Sequence, residues 1–190
     1  MLGLLRSFIR RDPRRELIAA LYKRVAGAAR QPGLYGDLGV PDTIEGRFEA
    51  LSLHMVLALR ALRHKPDPAS DVARDLTDAF FRDLDASLRE MGVGDTSVPK
   101  RMKTLAEAFY GRAGVYDAAL DSGDEAALAA ALGRNVCGSD GPALELARYA
   151  LAADNALKPA TAESLLADGP RFPAPEGFAS GGTTLSAQAL

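Results

Sequence analysis

Apolar residues recur along this chain at helical spacing. From Arg14 to Ala29, the residues Leu17, Ile18, Leu21, Tyr22 and Val25 share one face, and Gln31-Pro32-Gly33 closes the segment. A loop over Gly33 to Pro41 follows. Asp42 or Thr43 is then placed to cap a helix that reaches His64. Its apolar line is Ile44, Phe48, Leu51, Met55, Ala58, Leu59 and Leu62. Leu53 and Leu57 fall on the opposite side, so this helix is expected to be central and covered on two sides.

Lys65-Pro66-Asp67-Pro68 reads as a turn, with Asp67 as the cap and Pro68 at the first position of a helix running to Met91. Its stripe is Val72, Leu76, Phe80, Leu84, Leu88 and Met91, and Gly92 and Gly94 stop it. Thr96 or Ser97 opens the next helix, with Pro99 in its first turn and Val98, Met102, Leu105, Phe109, Ala113, Tyr116 and Leu120 as its stripe. An Ala-rich helix over Asp124 to Leu132 and another over Pro142 to Leu157 complete the body, and a short turn of helix is expected at Thr161 to Ala167. A short basic segment, Leu2 to Arg10, precedes the break at Pro13. The pattern predicts an all-α fold: a single compact bundle of about seven helices with a flexible Pro/Gly-rich C-terminal tail. The expected division is a short basic amphipathic helix over 1–13, a helical domain over 14–167 and a disordered tail over 168–190, where Pro170, Pro173, Pro175, Gly177, Gly181 and Gly182 oppose helix.

Composition agrees. The 190 residues fit one domain that needs no disulfide or metal to bury a core. The single Cys137 is expected to act as a small buried hydrophobe. The net charge is −2, which argues against direct DNA binding by the whole molecule. Its distribution is uneven: residues 1–30 carry eight basic and two acidic side chains, so +6, leaving −8 for the rest. Leu2, Leu4, Leu5, Phe8 and Ile9 interleave with Arg6, Arg10 and Arg11, the pattern of a helix lying on an anionic membrane surface. No stretch reaches the roughly 18 apolar residues of a transmembrane helix, and the arginines follow the first leucines instead of preceding them, against a signal peptide.

The sequence offers no nucleophile with its base, no metal-ligand cluster and no phosphate loop, so neither enzyme chemistry nor a cofactor or metal is expected. Three polar residues sit beside apolar stripes: Arg47 and His54 on the third of these helices and Asp83 on the fourth. A carboxylate at a core edge needs a partner, and Asp83 is expected to pair with one of the nearby cations, Arg47, His54, Arg101 or Arg112. The helix after Ser97 carries Lys100, Lys103, Tyr110, Gly111 and Gly114 away from its stripe, with Arg101 and Arg112 bordering it. Gly in a helix costs about 1 kcal/mol relative to Ala, so the two glycines beside Tyr110 require a reason: a kink, or the close approach of another chain. Tyr and Arg are favoured interface anchors.

Several ordered stretches, Leu34–Thr43, Gly46–Glu49, Leu53–His54, Leu84–Asp85, Leu88–Asp95, Val98–Lys103 and Ala108–Arg112, resemble the ubiquinol–cytochrome c chaperone family. These are bacterial relatives of the mitochondrial assembly factor for cytochrome b. The resemblance spans Ile18 to about Leu120, and more weakly to about Leu157. It implies a non-enzymatic chaperone that binds newly made cytochrome b and supports assembly of the ubiquinol–cytochrome c reductase. The implied location is the bacterial cytoplasm, peripheral to the inner membrane, with the ribosome or a small partner subunit as further partners. Under this reading Lys100, Arg101, Lys103, Tyr110, Gly111 and Arg112 are the partner-binding residues, and Leu2, Leu5, Arg6, Phe8, Ile9, Arg10 and Arg11 face the membrane. The alternatives are a general helical adaptor, and a helical carrier of a lipid or quinone.

Overall fold

A computed structural model describes residues 12–63 and 65–179. Eight α-helices follow one another among these residues: α1 (Pro13–Ala28), α2 (Pro32–Gly36), α3 (Ile44–Leu62), α4 (Ala69–Glu90), α5 (Val98–Ser122), α6 (Glu125–Leu132), α7 (Leu144–Leu157) and α8 (Ala162–Asp168). A π-helical turn (Gly133–Cys137) links α6 to the loop before α7, and a 3₁₀ turn (Pro175–Phe178) follows α8. The all-α expectation holds, and the described residues contain no strand. The basic segment over 2–10 lies outside the described residues.

Local chemistry sets most boundaries. Asp12 accepts a hydrogen bond from the Arg14 amide, Thr43 from Gly46, Asp124 from Ala127 and Thr161 from Ser164, each satisfying an amide that the first helical turn leaves free. Gly123 ends α5 in the left-handed region, where a Cβ would be strained. The expected cap at Asp67 is not made; its carboxylate instead accepts the Ser70 hydroxyl at 2.5 Å, and α4 begins without a side-chain cap. Gly33 to Gly36, expected as loop, form α2, because Pro32 is preset for a first helical position.

Helix α3 is the axis of the fold. It packs against α1, α4, α5, α7 and the π-helical turn, and is buried over an unbroken run from Ser52 to Ala58. This is the two-sided burial that Leu53 and Leu57 predicted. Its first residue, Ile44, and the last of the expected α4 stripe, Met91, are exposed, because helix ends project past the layer they pack on. Gly46 is required by packing: a Cβ there would stand 1.9 Å from the Pro41 carbonyl oxygen. That contact folds the Leu38–Pro41 loop against the start of α3. An aromatic ladder crosses the bundle from α3 to the surface. Phe48 stacks on Phe80, Phe80 meets Phe81 and Phe109, and both of these reach Tyr110.

The composition after Asp168 suggested loss of order from that point. Residues 169–179 instead lie along the body, with Pro170 and Pro175 buried. Pro and Gly forbid helix there, but they do not forbid an extended segment whose rings pack on a neighbouring face. Residues 180–190 lie outside the described residues.

Candidate partner-binding surface

Helix α5 runs unbroken through Gly111 and Gly114. A Cβ added at either glycine would meet nothing within 4 Å, so neither is demanded by packing within this chain. Lys100, Arg101, Lys103, Tyr110 and Gly111 are all exposed on this helix. Lys103 lies 3.8 Å from Glu107, one turn further on. Tyr110 keeps 58% of its surface in water while its ring leans on Phe81, 6.0 Å away between centroids. Phe81 is therefore a link between the core ladder and an exposed aromatic anchor.

Arg112 does not belong to this strip. It turns inward to Glu49 of α3 at 2.6 Å, with Glu49 only 7% exposed. Burial pushes the Glu49 carboxyl up to about 7, against the opposing pull of Arg112. Glu49 Oε2, Ser52 Oγ and Arg112 Nε are buried without a hydrogen-bond partner in the described structure. This pair fixes α5 against α3 and is reached from sequence only by noticing that Glu49 falls between apolar neighbours.

The expected cluster of Arg47, His54 and Asp83 does not form. Asp83 is bound by α1, not by a cation: the Tyr22 hydroxyl donates to Asp83 Oδ2 at 2.7 Å. Desolvation and this bond raise the Tyr22 pKa, so it stays a neutral donor. Arg47 is exposed, bonds Asp42 at 2.7 Å and lies over the Tyr35 ring at 5.5 Å. His54 is fully buried. Its Nδ1 lies 2.7 Å from the Ala50 carbonyl, which only a protonated Nδ1 can satisfy, so Nε2 accepts from the Tyr149 hydroxyl at 2.7 Å. Burial lowers the His54 pKa to about 4, keeping the ring neutral. The helical wheel placed these residues beside apolar stripes correctly, but which helix lies next to which stripe decided their partners.

The strongest polar site was missed. Arg60, with 8% of its side chain exposed, bonds Asp117 and Asp121 of α5 at 2.8 Å each and Asp154 of α7 at 3.0 Å. Lys158 adds a contact to Asp154 at 3.0 Å, and Arg63 a contact to Asp117. A signal existed: Arg60 is the sole Lys, Arg, Asp or Glu between Ala50 and Leu62. A lone cation in such a run requires buried carboxylates.

A groove of about 820 Å³ lies between α1 and α4 over Ile18, Ala19, Ala79 and Phe81. Five of its nine lining residues are charged, namely Arg15, Asp75, Asp78, Arg82 and Asp85, and it is open. Lipid and quinone sites are mostly apolar and enclosed, so this groove gives the carrier alternative little support. Among the described residues no group of three or more His, Cys, Asp or Glu could hold a metal ion, and no helix is long and apolar enough to cross a membrane.

Residues 36–172 match the ubiquinol-cytochrome C chaperone family, a span that includes α3 to α8. A relative from Xenopus laevis, ubiquinol-cytochrome-c reductase complex assembly factor 1, is 27% identical over 97 residues, 51% of this chain and 48% of its own. The chain thus matches about half the length of that curated relative. The crystal structure of the Cbp3 homolog from Brucella abortus superposes with a TM-score of 0.79 at 41% identity, covering 86% of this chain and 92% of that one. The matched span exceeds half of the chain, and this chain belongs to the ubiquinol–cytochrome c chaperone family.

Proposed function

We propose that this chain is an assembly chaperone that holds newly made cytochrome b during construction of the ubiquinol–cytochrome c reductase, and that the outer face of α5 is where the client is held. The observation that carries this reading is the combination on that face of an exposed Tyr110, the bare backbone of Gly111 and Gly114, and the cations Lys100 and Lys103. Backbone without side chains admits a client helix closely, as small residues do between membrane helices. Tyr110 supplies an amphipathic anchor, braced from below by Phe81. The two lysines suit acidic loops and lipid headgroups. Arg101 adds charge at the same end, while Arg112 acts indirectly by holding α5 on α3.

The name of the Xenopus relative and the family membership support the choice of client complex. The N-terminal residues Leu2, Leu5, Arg6, Phe8, Ile9, Arg10 and Arg11 are proposed to hold the chaperone at the cytoplasmic surface of the bacterial inner membrane. The reading implies a binding protein without catalysis, cofactor or metal.

Deletion of the gene in its host tests the reading. The cytochrome b haem spectrum and reductase activity should both fall, and tagged protein should bring down cytochrome b. Normal haem and activity in the deletion strain would overturn it. A general adaptor would leave cytochrome b behind in the same co-purification, which also reports whether a small subunit or the ribosome travels with the chain.

A further inference from the structure

The segment after α8 is attached in an unusual way. Gly169, at φ +74°, turns the chain against α1, where a Cβ would stand 2.3 Å from Arg24 Cδ. Phe172 then meets the buried His54 ring edge-on, with centroids 4.9 Å apart. Pro175 and Glu176 fit against Gly33 of α2, close enough that a Cβ on Gly33 would lie 3.1 Å from Pro175 Cβ. Phe178 meets Tyr149 of α7 edge-on at 5.6 Å.

These are packing contacts. Among the described residues no backbone hydrogen bond joins 170–179 to the helices, and the backbone bonds of the segment are local, such as Gly177 to Ala174. Its one side-chain hydrogen bond among the described residues is also local, from Arg171 to Asp168. The backbone is extended before and after the 3₁₀ turn, with ψ near 130° at both Ala174 and Ala179. An extended, proline-bearing segment held by two aromatic anchors, with its backbone unpaired, is how a short peptide ligand sits in a groove. Beneath it the polar groups are satisfied without the strap: His54 and Tyr149 share a hydrogen bond, and neither needs the strap as a polar partner.

We propose that the face formed by α2, α3 and α7 is a peptide-binding groove occupied in cis by residues 170–178, and that it accepts in trans an extended partner segment carrying two aromatic side chains six residues apart. The strap is then an autoinhibitory ligand. Its tether gives it a high effective concentration, so a free peptide competes only when the strap is weakened or the partner is present in excess. This surface lies on other helices than the proposed client face of α5, and the inference does not depend on the identity of the client.

The test uses the full-length chain and a fluorescent peptide spanning residues 168–179. Wild type should bind it weakly. The double variant Phe172→Ala, Phe178→Ala should bind it at least about tenfold more tightly, because affinity scales with the fraction of open groove. Equal binding to both proteins, or none to a double variant that keeps its helical spectrum, would overturn the proposal. Should that variant fail to fold, a staple decides. Gly33→Cys with Pro175→Cys, in a Cys137→Ser background, places two Cβ atoms 3.1 Å apart, so that a small outward shift of the strap brings them to disulfide spacing. Oxidation should abolish peptide binding at high peptide concentration and reduction should restore it; binding that ignores the staple would refute the groove. A scrambled peptide that moves one Phe by two positions should bind at least about tenfold less well in either format.

Discussion

Two ion-pair sites tie α3 to α5, and they are built differently. At Arg60 one guanidinium meets carboxylates from α5 and α7, with Lys158 and Arg63 closing the outside. At Glu49 a single carboxylate meets a single guanidinium, and Glu49 Oε2 and Arg112 Nε stay without hydrogen-bond partners, whereas Asp154 Oδ2 at the first site still has Lys158 at 3.0 Å. The first site uses the fork geometry of arginine fully. In the second, desolvation of the carboxylate outweighs the attraction of Arg112. Helix α5 is thus clamped firmly around Asp117 and Asp121 and held less firmly at Arg112. The stretch from Lys100 to Gly111, which carries the proposed client face, lies on the less firmly held side. A holding surface that must adjust to a client fits that end better than the clamped one.

The largest effect is expected at the clamp. Arg60→Met leaves the buried Asp154 and the half-buried Asp117 without their main cation and should cost about 3–5 kcal/mol in denaturant titration. A loss below about 1 kcal/mol would mean the three carboxylates find other partners. Arg112→Met should cost less, about 1–3 kcal/mol, because Glu49 can take up a proton once its partner is gone.

The same contrast has a pH signature. The folded Glu49 pKa is raised from 4.5 to about 7, so the native state binds the proton more tightly than the unfolded chain. Stability from this group is present below pH 4.5 and is lost as pH rises through 7. Melting curves across that window should show the decline in wild type and a flatter profile in Glu49→Gln. An unchanged slope in the variant would assign the dependence to another group.

Smaller effects separate stability from function. Tyr22→Phe removes the bond to Asp83 and should cost about 1 kcal/mol. Gly111→Ala places a methyl group in open space and should raise stability by up to about 1 kcal/mol. If α5 admits a client closely, that same substitution should reduce recovery of cytochrome b; undiminished recovery would move the client to another surface.

Helix positions and central burial were legible in the sequence because they depend on spacing within one segment. The period around Leu53 and Leu57 identified α3 as two-sided, and Thr43, one of the two residues placed to cap it, does so. Exposure of Lys100, Lys103, Tyr110 and Gly111 followed from the same arithmetic on α5. Pairings did not. Asp83 was correctly read as needing a partner, yet Tyr22 of α1 reached it and no cation did. His54 lay beside a stripe on the wheel, and the structure gave it Tyr149, ninety-five residues away.

By itself, then, the sequence determined the long helices, their buried faces, and the family whose ordered motifs it carries. Periodicity and capping act within a few residues, and motifs are read in order along the chain. Tertiary structure alone decided that Arg60 gathers three carboxylates from two helices, that Arg112 turns inward to Glu49, and that residues 169–179 lie on the body. Each of those outcomes depends on which helix packs beside which, and on whether a ring finds a face to cover. Proline and glycine content says only what the backbone of such a segment cannot do.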